Sequence, residues 1–299
     1  NAIYAQSGGV TAGINASACG VIQTARQYPQ RIGTEFDSKN GIIGALHEEL
    51  IDTSLESDED IAKLMHTPSG AFGSCRHKLK EDGDEFPRLL EVLKAHNIGY
   101  FFYNGGGDSQ DTANKVAKLS AASGFPITCI GIPKTVDNDL PFTDACPGFG
   151  SVAKYVAIST REAGFDVASM AATSTKVFIL EVMGRHAGWI AAASGLASSQ
   201  NNEPPHIILF PEVPFEPNSF LKRVDECVKS HGYCVVVVSE GIRNMQGQFL
   251  SDAGLRDAFG HAQLGGVAPV LAQLIKSELN LKYHWAVADY LQRAARHIA

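Results

Sequence analysis

Short apolar runs recur along this chain, and each gives way to turn residues before a helical pattern begins. Residues 2–5 lead into Ser7-Gly8-Gly9, residues 100–103 into Asn104-Gly105-Gly106-Gly107-Asp108-Ser109, and residues 127–132 into Pro133-Lys134-Thr135. Residues 177–182 lead into Met183-Gly184-Arg185, residues 207–210 into Pro211-Glu212, and residues 235–238 into Ser239-Glu240-Gly241. The runs do not alternate strictly between apolar and polar, which suits strands buried on both faces of a parallel sheet. Helical spacing covers roughly residues 13–26, 57–65, 88–96, 110–123, 151–163, 187–197, 220–230 and 267–279. Strand, loop and helix in repetition is the signature of an α/β fold, and 299 residues suffice for one large or two ordinary domains. In open α/β sheets ligands bind beyond the carboxyl ends of the strands. The Gly-rich, hydroxylic and charged residues of this sequence are concentrated there.

Composition narrows the partners. Apolar residues make up 44% of the chain, enough for a substantial core, and the net charge is -7. A chain this acidic lacks the dense basic stripe of a general nucleic-acid binder. Gly, Pro or charge breaks every apolar stretch well short of a membrane span. The 6 Cys form no CxxC pair, and no linear His/Cys spacing suits zinc. They read as reduced thiols of a cytoplasmic protein. None of the 10 His falls in an HExxH-type spacing, so each reads as a structural or surface histidine. The chain opens without Met inside a strand-like run, and residues 36–40, 82–86 and 201–204 read as seams where loop residues of a longer chain are absent.

Several segments carry chemistry. In residues 104–109 the glycines let backbone N–H groups approach an anion, and the following helix adds its unpaired N–H groups and positive dipole end. The same residues also suit a tight turn capped by Asp or Ser. Ser7-Gly8-Gly9 makes a second, weaker turn of this kind. Neither is a Walker A loop. Residues 133–139, Pro-Lys-Thr-Val-Asp-Asn-Asp, place two carboxylates, an ammonium, an amide and a hydroxyl at one strand end. One Asp can take the proton of an attacking hydroxyl while the Lys neutralises phosphate oxygens. An Asx-rich polar turn is the plainer alternative. Arg185, after Met183-Gly184, can offer a planar fork to phosphate or sugar oxygens. Glu240 can accept hydrogen bonds from sugar hydroxyls, and Tyr290 with Arg293 can form a phosphate-monoester pocket. Read singly, these are also an exposed Arg, an acidic cap and the start of a surface helix.

Taken in order along nearly the whole chain, these motifs resemble the phosphofructokinase family. The resemblance implies two Rossmann-like α/β domains with mostly parallel sheets and an active-site cleft between them. It assigns residues 1–147 to donor binding, with 291–299 returning there, and 148–290 to the sugar phosphate. It implies transfer of a phosphoryl group to the 1-hydroxyl of fructose 6-phosphate, with Mg²⁺. Asp137 then stands as general base. Thr135, Val136, Asp139, Met183, Gly184, Arg185, Glu240, Tyr290 and Arg293 make up the sugar-phosphate set. Gly8, Gly9, Arg76, Gly106, Gly107, Asp108, Ser109 and Lys134 make up the donor set. Lys176, with His284 or Lys282, stands where members reach a neighbouring subunit's sugar phosphate, which implies a homodimer or homotetramer.

Two departures from the ATP-using pattern bear on the donor. Asp108 replaces a Gly of the Gly-Gly-Asp-Gly-Ser loop, and Lys134 replaces the Gly of Pro-Gly-Thr. Both resemble pyrophosphate-dependent members. A carboxylate about 4 Å from the α-phosphate of ATP repels it by roughly 4 kcal/mol at an effective dielectric near 20. That is on the order of a thousandfold in affinity. Gly107 stands where many members keep an Asp for Mg²⁺, which leaves the metal to Asp108, or to Asp137 with phosphate oxygens. The first loop, Val10-Thr11-Ala12-Gly13, also lacks the usual acidic, Pro-containing pattern. The rival readings are an ATP-dependent enzyme, a non-catalytic sugar-phosphate-sensing subunit, and the NAD and lipid kinases that share a Gly-Gly-Asp-Gly loop. Other sugar phosphates, such as sedoheptulose 7-phosphate, are further candidate acceptors.

Overall fold

The computed structural model describes residues 1–80, 83–200, 202–256, 262–264 and 266–293, with the backbone alone for 252–256 and 262–264. Its contacts divide the chain into two compact units. One holds Asn1–Thr135 and Cys146–Gly148, and the other holds Val136–Ala145 and the described residues from Phe149 on. Val136–Ala145 and residues 291–293, read from sequence with the donor domain, therefore lie in the second unit. Residues 294–299 of the expected return lie outside the described residues.

In the first unit, β1 (Ala2–Gln6) is buried at every position. After it come α1 (Gly13–Arg26), β2 (Glu35–Ser38), α2 (Ile42–His47), β3 (Leu50–Asp52), α3 (Asp58–Lys63) and α4 (Glu85–Ala95). β4 (Tyr100–Gly105), α5 (Gly107–Ala122) and β5 (Thr128–Pro133) complete it. The sheet order is β3-β2-β1-β4-β5, parallel except for the β2–β3 pair. β1 has β2 on one side and β4 on the other, so the strand order reverses at β1 and β4. That reversal opens a crevice at their carboxyl ends. Ser7-Gly8-Gly9 and Gly105–Ser109 lie there.

The second unit opens its regular structure with α6 (Phe149–Met170), β6 (Val177–Val182), α7 (Trp189–Ala193) and β7 (Ile207–Leu209). Next come α8 (Pro217–His231), β8 (Cys234–Ser239), and the hairpin of β9 (Asp252–Arg256) and β10 (Ala262–Leu264). α9 (Val267–Leu279), β11 (Tyr283–Val287) and α10 (Asp289–Arg293) follow. The all-parallel sheet runs β11-β6-β8-β7. β8 is central, and Val235, Val236, Val237 and Val238 are 0% exposed. Each such side chain contributes roughly 1.5–3 kcal/mol on burial, so a charge at any of the four would break the sheet's centre. α8 has a start and a stop written in its sequence. The Glu216 carboxylate accepts from the N–H groups of Asn218 and Ser219, Pro217 enters the first turn, and Gly232 ends the helix at φ +84°.

The sheets match the expected fold of two Rossmann-like units. The differences have local causes. α6 runs on through Gly164, where a Cβ would stand 2.4 Å from Pro204 Cγ, so that glycine serves a close approach rather than a helix end. The helix expected over 187–197 is α7 followed by a 3-10 turn, Ser194–Ala197. Among the described residues no helix is long and apolar enough to cross a membrane.

Candidate active site

The donor-side residues are assembled by three strand ends of the first unit. The Ser7 N–H donates to the Asn104 carbonyl at 2.8 Å, and the Lys134 N–H donates to the Gly105 carbonyl at 3.0 Å, which ties the loops after β1, β4 and β5 together. The Gly8 N–H donates to the Cys75 carbonyl at 2.9 Å, and the Ser74 hydroxyl donates to the Gly8 carbonyl at 2.7 Å. Gly8 sits at φ +75°, a conformation that disfavours any side chain. The Lys134 side chain is buried, and its ammonium donates to the Gly9 carbonyl at 2.6 Å. That contact holds a positive charge beneath the glycine turn.

α5 begins directly at the Gly-rich loop, so its first N–H groups open onto the strand ends. A Cβ on Gly106 or Gly107 would meet nothing within 4 Å, which leaves space over the helix start for a ligand. Ser109 is buried, with its N–H on the Gly106 carbonyl at 3.0 Å. Asp108 lies in the first turn of α5 and pairs with Lys78 at 3.2 Å, its side chain 40% exposed. Lys78 was not legible as a site residue, because nothing in its sequence neighbourhood marks it. Arg76 is exposed, next to Cys75, which bridges to Ser7.

The second unit gathers a charged cluster. Burial, then the Asp139 charge, raises the Asp137 carboxyl to about 6, against the opposing pull of Arg185 and Arg293. The Arg185 backbone N–H also donates to Asp137. Burial and the Asp137 charge raise Glu240 to about 7, with Arg185 again opposing. Glu240 follows β8 and Arg185 follows β6, adjacent parallel strands. Gly184 turns the chain at φ +127°, where a Cβ would stand 2.7 Å from the Ala187 carbonyl, so only glycine fits. The Ser239 hydroxyl donates to the Gly184 carbonyl. The Met183 N–H donates to Gln292 Oε1 at 3.2 Å, which links the β6 loop to α10. On α10 the Arg293 guanidinium lies 3.9 Å over the exposed Tyr290 ring. The Nε atoms of Arg185 and Arg293 are both buried without a hydrogen-bond partner. Gln292 was missed as a positioning residue, although it lies inside the Tyr-Leu-Gln-Arg motif.

Two expected sugar residues lie apart from this cluster. The Val136 side chain packs in the core with Val152, Val156 and Leu180. Lys176 precedes β6, at the amino edge of the sheet, and its ammonium donates to the Ala171 carbonyl. Its N–H donates to the Lys282 carbonyl at 2.9 Å, and His284 on β11 pairs with Phe178 on β6, so Lys176, Lys282 and His284 share that edge. Thr135 closes the first unit.

Known proteins are similar to this chain over its whole length. It is 69% identical over 302 residues to the pyrophosphate–fructose 6-phosphate 1-phosphotransferase of Methylococcus capsulatus, covering 100% of this chain and 72% of the relative. It is 65% identical over 302 residues to the protein of the same name from Halomonas elongata, with the same coverage. The crystal structure of a pyrophosphate-dependent phosphofructokinase from Marinobacter aquaeolei superposes with a TM-score of 0.90 at 66% identity, covering 100% of this chain and 70% of that one. The family model described as Phosphofructokinase matches residues 1–298, and this chain belongs to the phosphofructokinase family.

Proposed function

We propose that this chain transfers a phosphoryl group from pyrophosphate to the 1-hydroxyl of fructose 6-phosphate, giving fructose 1,6-bisphosphate and phosphate, reversibly. The observation that carries the choice of donor is the buried Lys134 ammonium on the Gly9 carbonyl, beside a helix start whose first turn bears Asp108. A cradle of N–H groups and one ammonium suits a small inorganic anion. Asp108 adds a charge and a side chain where a nucleotide would continue. Its partner Lys78 tempers the repulsion, so bulk is a larger part of the exclusion than a bare carboxylate would require.

In this reading Asp137 takes the proton of the 1-hydroxyl as that oxygen attacks phosphorus and the bond to the leaving phosphate breaks. A base whose pKa lies near the working pH combines the ionised form with good proton affinity. Lys134 stabilises the charge on the transferring group and its leaving phosphate. Arg185, and Arg293 stacked on Tyr290, offer guanidinium N–H groups to the sugar phosphate, and Glu240 meets sugar hydroxyls. Mg²⁺ commonly takes one or two carboxylates and completes its shell with water and substrate phosphates. Asp108 fits that minimal donor set, and the cation would supply charge neutralisation at the phosphate oxygens. Lys176, Lys282 and His284 serve the sugar phosphate of a second copy, which makes the enzyme a homodimer or larger. A cytoplasmic setting belongs to the same reading, and no disulfide joins the described cysteines.

The test is a donor comparison on the purified protein at saturating fructose 6-phosphate. Pyrophosphate should support turnover and ATP should not compete with it. Faster turnover with ATP would overturn the donor assignment.

A further inference from the structure

The second unit brings together a set of soft ligands that no linear spacing in the sequence reveals. His206 lies just before β7, Cys227 and His231 are in the last turns of α8, and Cys234 begins β8. All four therefore stand at the amino-terminal edge of the sheet, whereas Arg185 and Glu240 follow the carboxyl ends of the same strands. Ligand atoms of His206, Cys227 and His231 all lie within 4.8 Å of one another. Cys227 Sγ is 3.8 Å from His231 Nδ1. Tetrahedral Zn²⁺ with ordinary Zn–S and Zn–N bonds sets such a pair about 3.6 Å apart, so the existing spacing needs little change.

A further observation points to a ligand. His206 Nε2 is buried and has no hydrogen-bond partner. Cys227 is buried, and metal ligation requires its thiolate. His231 is exposed and gives an entry from solvent.

We propose that Cys227, His231 and His206 form a site for a soft divalent cation of the Zn²⁺ type. One thiolate and two imidazoles are donors that Zn²⁺ takes, with water in the fourth position. One proton leaves as the metal arrives, that of the Cys227 S–H, which now donates to the Tyr233 carbonyl at 3.4 Å. His206 Nδ1 now accepts the Val235 N–H at 3.0 Å, so ligation through Nε2 moves the ring proton to Nδ1 and exchanges that hydrogen bond for the metal. The bound ion would fasten the end of α8 to the start of β7, away from the reacting groups.

The experiment is a titration of the chelator-treated chain with Zn²⁺ by calorimetry and with Co²⁺ by absorption. One ion per chain should bind, and Co²⁺ should show thiolate-to-metal charge transfer that Cys227→Ser diminishes. Loss of an outer-sphere partner alone weakens metal sites by about 10–100-fold, so His231→Ala should weaken Zn²⁺ binding at least that much. His231 is exposed, so this variant keeps the core intact. Absence of binding, absence of charge transfer, or binding that both variants leave unchanged would overturn the site.

Discussion

In the first unit the loops at the strand ends offer backbone N–H groups, one buried ammonium at Lys134 and one half-exposed carboxylate at Asp108. The second unit instead couples five ionisable side chains, Asp137, Asp139, Arg185, Glu240 and Arg293, with two carboxyls raised toward neutrality. On the proposed function, the contrast follows the ligands. Pyrophosphate has charge and little stereochemistry, so a glycine cradle with a fixed cation can hold it. A sugar phosphate has hydroxyls in fixed directions, one of which must lose a proton, and that calls for side chains with tuned protonation.

The largest expected effect tests the second unit. Asp137→Asn should lower kcat by about 10²–10⁴-fold, the usual worth of a general base, with pyrophosphate binding little changed. In the unsubstituted enzyme kcat/KM should rise as pH increases through about 6, because the ionised carboxylate accepts the proton. The stability linkage has the opposite sign. A carboxyl raised in the fold favours folding below its unfolded pKa, and that contribution is lost as pH rises through about 6 for Asp137 and about 7 for Glu240. A pH profile of the active enzyme without an inflection in that region would place the base elsewhere.

A smaller effect tests the first unit. Lys134→Met should cost about 10²–10³-fold in turnover, the scale of one preorganised electrostatic group, and should raise the KM for pyrophosphate. An unchanged KM would mean that the ammonium does not meet the donor. The smallest effect sharpens the contrast at the loop itself. Lys78→Met should tighten discrimination against ATP by at most about fivefold, since exposed ion pairs are worth about 0–1 kcal/mol. Asp108→Gly should admit measurable ATP binding by calorimetry, and no gain there would remove Asp108 from the exclusion.

Legibility followed burial. β1, β6 and β8 were apparent from their apolar runs, and the Gly-rich and Lys-Thr-Val-Asp-Asn-Asp segments stood out because glycines and charges at strand ends have few structural excuses. β2 escaped because Glu35-Phe36-Asp37-Ser38 carries two acids, yet Glu35 is 5% and Asp37 0% exposed beside β1. β11 escaped because it is an edge strand with exposed positions, Trp285 among them. The residues proposed for the donor and sugar sets were readable one by one as members of motifs. Contacts between distant segments were not: Lys78 with Asp108, Gln292 with Met183, and the His206, Cys227 and His231 grouping all depend on the fold to bring them together.

Glu181 lies one residue before the end of β6 among these acids, but its two carboxylate oxygens accept the N–H groups of Gly266 and Ala268 at 2.9 and 2.8 Å, where α9 begins. The positive pole of a helix thus absorbs one anion locally. Four carboxylates in this neighbourhood, Glu181, Asp137, Asp139 and Glu240, would otherwise outnumber Arg185 and Arg293 two to one. With one occupied by a helix and two inclined to keep their protons, both guanidinium groups stay available to an arriving dianion, and an acidic crowd can still attract a phosphate.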